Sequence, residues 1–300
     1  MENQQNTTNI NWYPGHMAKT KKQVIEDLKL IDIVVEVLDA RIPISSRNPD
    51  INKLTNKKLK LIILNKCDLA DEKQNKNWIK YFEEQGSKAV LVNSNTGEGI
   101  NQVIKKIEEI YASKQEKYSD KGRIGKSIRV MILGIPNVGK SSFINRITKK
   151  NITKVGNKPG VTRQKQWVRI NQNIELLDTP GVLWPKFESE EVALNLAYAG
   201  TIKDDVLQTI EIGFSLLRFL IKNHLGKIIN RYKLDEEEVK NILEKNIEEN
   251  DKVLEIMDYI GKKRGTLSQG GNVDEEKIAK IILEDFRSGK IGRITLEEID

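Results

Sequence analysis

Three short motifs, each at the end of an apolar run, stand in an order that strongly limits how this chain can fold. Asn65-Lys66-Cys67-Asp68 follows Leu59–Leu64, Gly134-Ile135-Pro136-Asn137-Val138-Gly139-Lys140-Ser141 follows Ile128–Leu133, and Asp178-Thr179-Pro180-Gly181 follows Ile174–Leu177. Short apolar runs bounded by turn residues read as buried strands. Helical spacing fills Glu72–Gln85 and Gly99–Ala112, with a further strand at Ala89–Val92. Strands alternating with helices predict an α/β fold: a mostly parallel sheet with helices on both faces.

The middle motif is a phosphate loop of pattern GxxxxGK[ST], whose backbone N–H groups cradle a polyphosphate. Gly134 and Gly139 permit the tight turn and the close approach of backbone to phosphate. Lys140 supplies positive charge to the β- and γ-phosphates, the Ser141 hydroxyl is a Mg²⁺ ligand, and Val138 and Ser142 complete the cradle. The Asn65–Asp68 motif supplies base identity. Asp68 can accept two hydrogen bonds from guanine N1 and N2, a pattern adenine lacks, and a wrong base would leave buried polar groups unpaired. Asn65 can bond the base and neighbouring loops, the Lys66 stem can lie over the purine face, and Cys67 sits between them.

The loop from Asn93 through Ser94 to Gly99 is similar to a second guanine-contacting loop, with Ser94 where alanine usually stands. A backbone N–H to the guanine carbonyl survives that change, although an ordinary glycine turn has the same appearance. In the third motif, Asp178 is expected to hold Mg²⁺ through water and the Gly181 N–H to meet the γ-phosphate. Thr162, between the two phosphate motifs, is the candidate switch residue that closes on Mg²⁺; as a lone loop threonine it could equally be a turn former. GTPases ordinarily run phosphate loop, DxxG, NKxD. Here NKxD comes first, so the order is permuted.

That permutation places a cut just after DxxG. The helix and strand that should follow it stand at the front, as Met17–Leu30 and Ile33–Leu38, the latter ending in Asp39-Ala40-Arg41. Trp12-Tyr13-Pro14-Gly15-His16 should therefore return near the γ-phosphate, where His16 could position water; capping the first helix or touching a partner are its alternatives. Glutamine often follows DxxG to orient the attacking water. Val182 stands there instead, so intrinsic hydrolysis should be slow. Asn137 matches the asparagine with which K⁺-dependent GTPases hold potassium, which implies K⁺ stimulation. His224 lies in a polar helical context and reads as a surface residue.

Charge is unevenly spread. Residues 1–183 hold 32 Lys+Arg against 19 Asp+Glu, and residues 184–300 hold 18 against 24. A basic nucleotide-binding region suggests a polyanionic partner, most plausibly nucleic acid, or else a lysine-rich solvated surface. The single cysteine, Cys67, excludes disulfides and a multi-cysteine zinc site. No apolar run approaches the roughly 18 residues of a membrane span, and neither a secretory signal nor an arginine-rich presequence is visible at the start. The expectation is a cytoplasmic protein with no membrane association.

Ser113–Lys126 reads as a linker, and Trp167–Ile170 with Ile174–Leu177 as a hairpin around Asn171–Asn173. Beyond Pro185 strand alternation ends, and helical periodicity covers Ile210–Leu220, Glu236–Ile247, Val253–Ile260 and Glu275–Phe286. The expected division is a GTPase domain over 1–183 and an all-helical domain over 184–300. Lys262, Lys263, Arg264, Lys290 and Arg293 are the best local RNA-binding candidates there, although charge clusters are commonly only solvated.

With Trp12–Lys19, Asp39–Pro49 (DARIPISSRNP), Asp178–Phe187 (DTPGVLWPKF) and Gly261–Gly265 (GKKRG) added to the motifs, the chain resembles the circularly permuted GTPases, specifically the ribosome biogenesis GTPase A family. The resemblance covers nearly the whole length. It implies a cytoplasmic factor acting late in assembly of the large ribosomal subunit, which stimulates its GTPase; GTP and GDP, the large subunit and its rRNA are the expected partners, and a monomer is the expected state. It also implies a C-terminal helical bundle similar to an RNA-binding antiterminator module, and it puts His16 where that family's proposed catalytic histidine stands. A nucleotide-gated RNA-binding module in which hydrolysis is incidental is the alternative function.

Overall fold

The computed structural model describes residues 22–118, 127–148, 167–177, 189–202, 209–268 and 270–300. It divides into two compact units, one of residues 1–189 together with 295–300 and one of residues 190–294.

The first unit is built on a six-stranded sheet. Its strands are β1 (Ile33–Asp39), β2 (Leu59–Asn65), β3 (Lys88–Val92), β4 (Ile128–Leu133), β5 (Trp167–Arg169) and β6 (Ile174–Leu177). Their spatial order is β3-β2-β1-β4-β6-β5. All neighbours pair in parallel except β5 with β6, which form the expected hairpin. Every residue of β1 is buried, as befits an interior strand of a parallel sheet.

Helices follow the strands where the sequence provides starts. Residues 22–28 form helix α1. Helix α2 (Pro49–Leu54) begins with proline at its first turn, capped by the Asn48 side chain, which accepts from the Asp50 and Ile51 N–H groups. Helix α3 (Glu72–Glu84) is capped in the same way by Asp71. Helix α4 (Ile100–Tyr118) runs six residues past the expected end, so the polar stretch from Ser113 begins as helix rather than linker. Lysine, glutamine and glutamate, which fill this stretch, are good helix formers. Helix α5 (Lys140–Ile147) starts directly from Gly139.

Two hydrophobic clusters among the described residues pack this unit. One gathers Leu38, Ile62, Leu64, Cys67, Trp78 and Phe82. The other joins Val24 and Leu28 to Val34, Ile51, Met131 and Leu133. The chain re-enters the unit at its end. The Leu296 N–H donates to the Arg41 carbonyl at 2.8 Å, the Asp71 N–H to Thr295 Oγ1 at 3.0 Å, and the Trp78 indole to the Glu297 carbonyl at 2.8 Å. These contacts make residues 295–300 a strap on the first unit, whereas the sequence reading runs the helical domain to residue 300.

The second unit contains helices α6 (Glu190–Tyr198), α7 (Thr209–Tyr232), α8 (Glu236–Glu244), α9 (Glu249–Arg264) and α10 (Glu275–Arg287). No strand occurs in this unit among the described residues. Helix α9 stops at Gly265, whose φ of 67° suits a left-handed cap. Gly213 lets α7 approach α10 closely, since a Cβ there would lie 2.6 Å from the Cβ of Ala279. His224 is half-buried rather than a plain surface residue. It interrupts α7 with φ −141° and packs its ring 5.9 Å from that of Phe219.

Candidate functional site

The base-reading and phosphate motifs meet at one end of the sheet although 71 residues separate Lys66 from Asn137. Parallel pairing of β2 with β1 and of β1 with β4 carries the strand ends, and the loops after them, to the same edge.

Asn65, the last residue of β2, is the hub. Its Nδ2 donates to the Val138 carbonyl at 2.8 Å, and its Oδ1 accepts from Ser94 N at 3.2 Å and Ser94 Oγ at 2.7 Å. One buried amide thus joins the NKxD motif, the Asn93–Gly99 loop and the phosphate loop. The serine in place of the usual alanine adds a hydrogen bond to this junction. Asn93 Oδ1 accepts from the Asn95 and Thr96 N–H groups at 2.9 and 3.2 Å, which shapes the loop as an Asx turn.

Lys66 departs from β2 with φ 58°, unusual for a residue with a Cβ. Its ammonium donates to the Asn137 carbonyl at 2.8 Å and lies 2.9 Å from Asp39 Oδ2. Cys67 packs its side chain into the core, and its carbonyl accepts from Asn75 Nδ2 at 2.9 Å. Asp68 is exposed at the tip. A carboxylate in that place is open to the edge of a base.

The phosphate loop shows its chemistry in its backbone. Asn137 has φ 61° and Gly139 φ 91°, and a Cβ on Gly139 would collide with the Asn65 amide. A Cβ on Gly134 would lie 2.7 Å from the Val37 carbonyl. Only glycine fits either position without displacement. Val138 is fully buried, so its backbone alone faces the loop. The N-cap of α5 is Gly139, which has no side chain to cap it, and Ser141 and Ser142 are exposed at the first turn with Lys140 half-exposed beside them. A helix N-terminus carrying a lysine and two hydroxyls suits a phosphate with its Mg²⁺. Ser141 is the only expected Mg²⁺ ligand among the described residues. His16, Thr162, Asp178 and Gly181 lie outside them, as does Val182.

Sequence reasoning missed two groups here. Asp39 and Arg41, read only as the end of a strand, form a buried ion pair beside Lys66. Burial alone would raise the Asp39 pKa, but Arg41 and Lys66 outweigh it and hold this carboxyl far below the ordinary range. Arg146 of α5 donates from Nε to the Ser94 carbonyl at 3.2 Å and from Nη2 to the Asn95 carbonyl, so it holds the guanine-side loop from the phosphate-side helix. The Lys66–Asp39 and Arg146 contacts join residues far apart in sequence and have no short-range signature.

In the helical unit, the five RNA candidates divide. Arg264 and Lys290 converge on the buried carboxylate of Asp285, at 3.4 and 3.8 Å. Arg231, not anticipated, makes a two-pronged contact with the same carboxylate, at 2.9 Å from each prong. Lys262 pairs instead with Asp258 at 2.6 Å, and Lys263 lies 5.5 Å from the Tyr259 ring centre. The Arg293 carbonyl accepts from Lys227 at 2.5 Å.

The sequence pattern of the family described as "50S ribosome-binding GTPase" matches residues 129–282. A protein of Bacillus pumilus (strain SAFR-032) called ribosome biogenesis GTPase A is 46% identical over 289 residues, which are 96% of this chain and 98% of that one. A GDP-bound structure of TM YlqF superposes with TM-score 0.66 at 26% identity, covering 92% of this chain and 98% of the other. A GNP-bound YlqF from T. maritima superposes with TM-score 0.62 at 25% identity, over 93% and 98%.

Proposed function

The chain belongs to the ribosome biogenesis GTPase A family, and from that membership we propose that it hydrolyses GTP as an assembly factor of the large ribosomal subunit. The observation that carries the nucleotide reading is the Asn65 amide, which ties base-side and phosphate-side loops into one pocket despite the permuted order. Lys140, Ser141 and the first turn of α5 bind the phosphates, with Ser141, Thr162 and Asp178 holding Mg²⁺ and Asn137 holding K⁺. The Mg²⁺ supplies charge neutralisation at the phosphates when bound. Val182 cannot orient water, so turnover is slow until the subunit completes the site, and His16 is the candidate for that role.

The permutation gives the coupling a route. Gly181 precedes the helical unit by only a few residues, so a shift of the segment around Asp178 on γ-phosphate contact passes directly into the chain that enters it. In this reading the GTP form grips immature rRNA, with Arg264, Lys290 and their neighbours on phosphate, and hydrolysis releases it. The protein acts as a monomer in the cytoplasm. Among the described residues no helix is long and apolar enough to cross a membrane.

The deciding experiment measures GTP turnover in K⁺ and in Na⁺, with and without purified large subunits, for the wild type and His16→Ala. Acceleration by subunits, greater in K⁺ and lost in His16→Ala, is the expected result. GTP-dependent subunit binding without acceleration would favour the nucleotide-gated RNA-binding module instead.

A further inference from the structure

We propose that Asp39 is a positioning residue of the nucleotide site: its carboxylate sets the ammonium of Lys66, and through it the Asn137 turn of the phosphate loop. The inference rests on reading Lys66 as the base-side lysine of the pocket.

Asp39 closes β1, directly beside Asn65 in the parallel register. That register delivers Lys66, the next residue, to the end of the strand where the carboxylate waits. Asp39 is 1% exposed, and its orientation is set from three directions. The Arg41 N–H and Nε donate to Oδ1 at 3.1 and 3.0 Å, Arg41 Nη2 donates to Oδ2 at 2.8 Å, and the Asp39 N–H donates to Ser46 Oγ at 3.0 Å. A buried arginine in this forked geometry leaves the carboxylate no freedom to rotate. Oδ2 therefore faces Lys66 in a fixed place, at 2.9 Å.

The lysine and its acceptor both need such support. Lys66 and Asn137 hold φ values of 58° and 61°, a region in which side-chain-bearing residues persist only where their surroundings impose it. The Lys66 ammonium bridges them, one hydrogen bond to the Asn137 carbonyl and one ion pair to Asp39. Arg41 is buried and needs a counter-charge of its own, so a plain structural account explains the Arg41–Asp39 pair. It does not explain the second cation on Oδ2, one that is 23% exposed and belongs to the base-reading motif.

Asp39→Asn keeps the size but removes the charge, and its Nδ2–H₂ group must face either the Arg41 N–H and Nε donors or Lys66, where a carboxylate oxygen stood. In the folded variant, affinity for GTP and GDP should fall together about tenfold, with kcat at saturation within twofold of wild type. The preference for GTP over ATP should persist, because Asp68 is untouched. A purely structural role would lower the unfolding midpoint and leave nucleotide affinity within twofold, which would overturn the proposal. The coupling is read by adding Lys66→Ala: the double variant should bind no more weakly than Lys66→Ala alone, and additive losses would also overturn it. Should Asp39→Asn not fold, Arg41→Lys takes its place. It keeps the Asp39 charge and loosens its clamp, with affinity expected to fall about fivefold and an unchanged value again overturning the idea. If Lys66→Ala itself leaves affinity intact, the pocket reading fails with it, an outcome distinct from failure at Asp39 alone.

Discussion

The Glu297 carboxylate receives the backbone N–H of Ile44 at 2.6 Å, although 253 residues separate the two. The Ser45 N–H, at 2.8 Å, and the Ser45 hydroxyl reach the same carboxylate. These donors lie in the loop after β1, the loop that begins with Arg41 and ends at the Asn48 cap of α2. On the other side of the strap, Ile299 N–H donates to Gln74 Oε1 at 3.0 Å, and Asn77 Nδ2 to the Ile299 carbonyl at 2.8 Å. The last residues thus hold together the loop after β1 and the start of α3, the two segments flanking the base-reading motif.

Glu297→Ala should therefore destabilise the GTPase unit by about 1–3 kcal/mol, because two backbone donors lose a charged acceptor. Urea unfolding followed by fluorescence of Trp78, whose indole bonds the strap, reads the change. A midpoint equal to wild type would show that these contacts add nothing.

Arg146→Ala removes both donors to the Ser94 and Asn95 carbonyls. The guanine-side loop should then lose its tether to α5, and GTP and GDP affinity should fall about 5- to 30-fold, equivalent to about 1–2 kcal/mol. Arg146→Lys, which keeps one donor, should recover part of it. The measurement is a titration with fluorescent nucleotide, and equal affinity for all three forms would remove Arg146 from the site.

Much of this site was legible before any coordinates, and the division has a physical cause. The phosphate loop and NKxD announce themselves because backbone conformation and base chemistry restrict residue types at fixed spacing, and the apolar runs before them mark strands. Asp39, Arg41 and Arg146 carry no such spacing. Lys66 becomes a neighbour of Asp39, and the Ser94 and Asn95 carbonyls become neighbours of Arg146, only when β1, β2 and α5 are laid side by side, so a strand ending in Asp-Ala-Arg gives no hint of an ion pair with Lys66. The strap over residues 295–300 is hidden for the same reason, and the sequence reading leaves those six residues in the helical domain. His224 looked like a surface residue because helical spacing continues through it, and a kink leaves no mark in spacing.

Glu36 provides a test of pH dependence with a definite sign. It is buried within β1, and burial raises its pKa despite the opposing charges of Arg47, at 3.3 Å, and Lys60. A carboxyl with a raised folded pKa binds its proton more tightly folded than unfolded. Its contribution to stability therefore falls as pH rises above the ordinary value of 4.5. Glu36→Gln keeps an acceptor for Arg47 and removes this dependence. Relative to wild type it should gain stability between pH 4.5 and 8, measured as the difference in urea midpoints. Asp39 works in the opposite sense: its lowered pKa contributes stability above 3.8 that is lost as pH falls below that value. A wild-type-minus-variant difference that stays constant across the range would mean that Glu36 is not strained by its burial.

The helical unit offers a prediction that separates phosphate contact from mere surface charge. Arg231, Arg264 and Lys290 share one buried carboxylate, so Asp285 holds three cations in one patch with a net positive charge. Lys290 is the most exposed of the three, at 59%, and its ion pair is the longest. Its removal should therefore cost little stability. If this patch lies on rRNA, Lys290→Ala should weaken binding to large subunits across all salt concentrations and reduce the slope of log affinity against log salt by about 1. Lys262→Ala is the matched control, since that ammonium is paired with Asp258 rather than with Asp285. Binding measured from 50 to 300 mM KCl reads both slopes. A Lys290→Ala slope equal to wild type would place the patch away from RNA and leave the basic GTPase unit as the principal anion-binding surface.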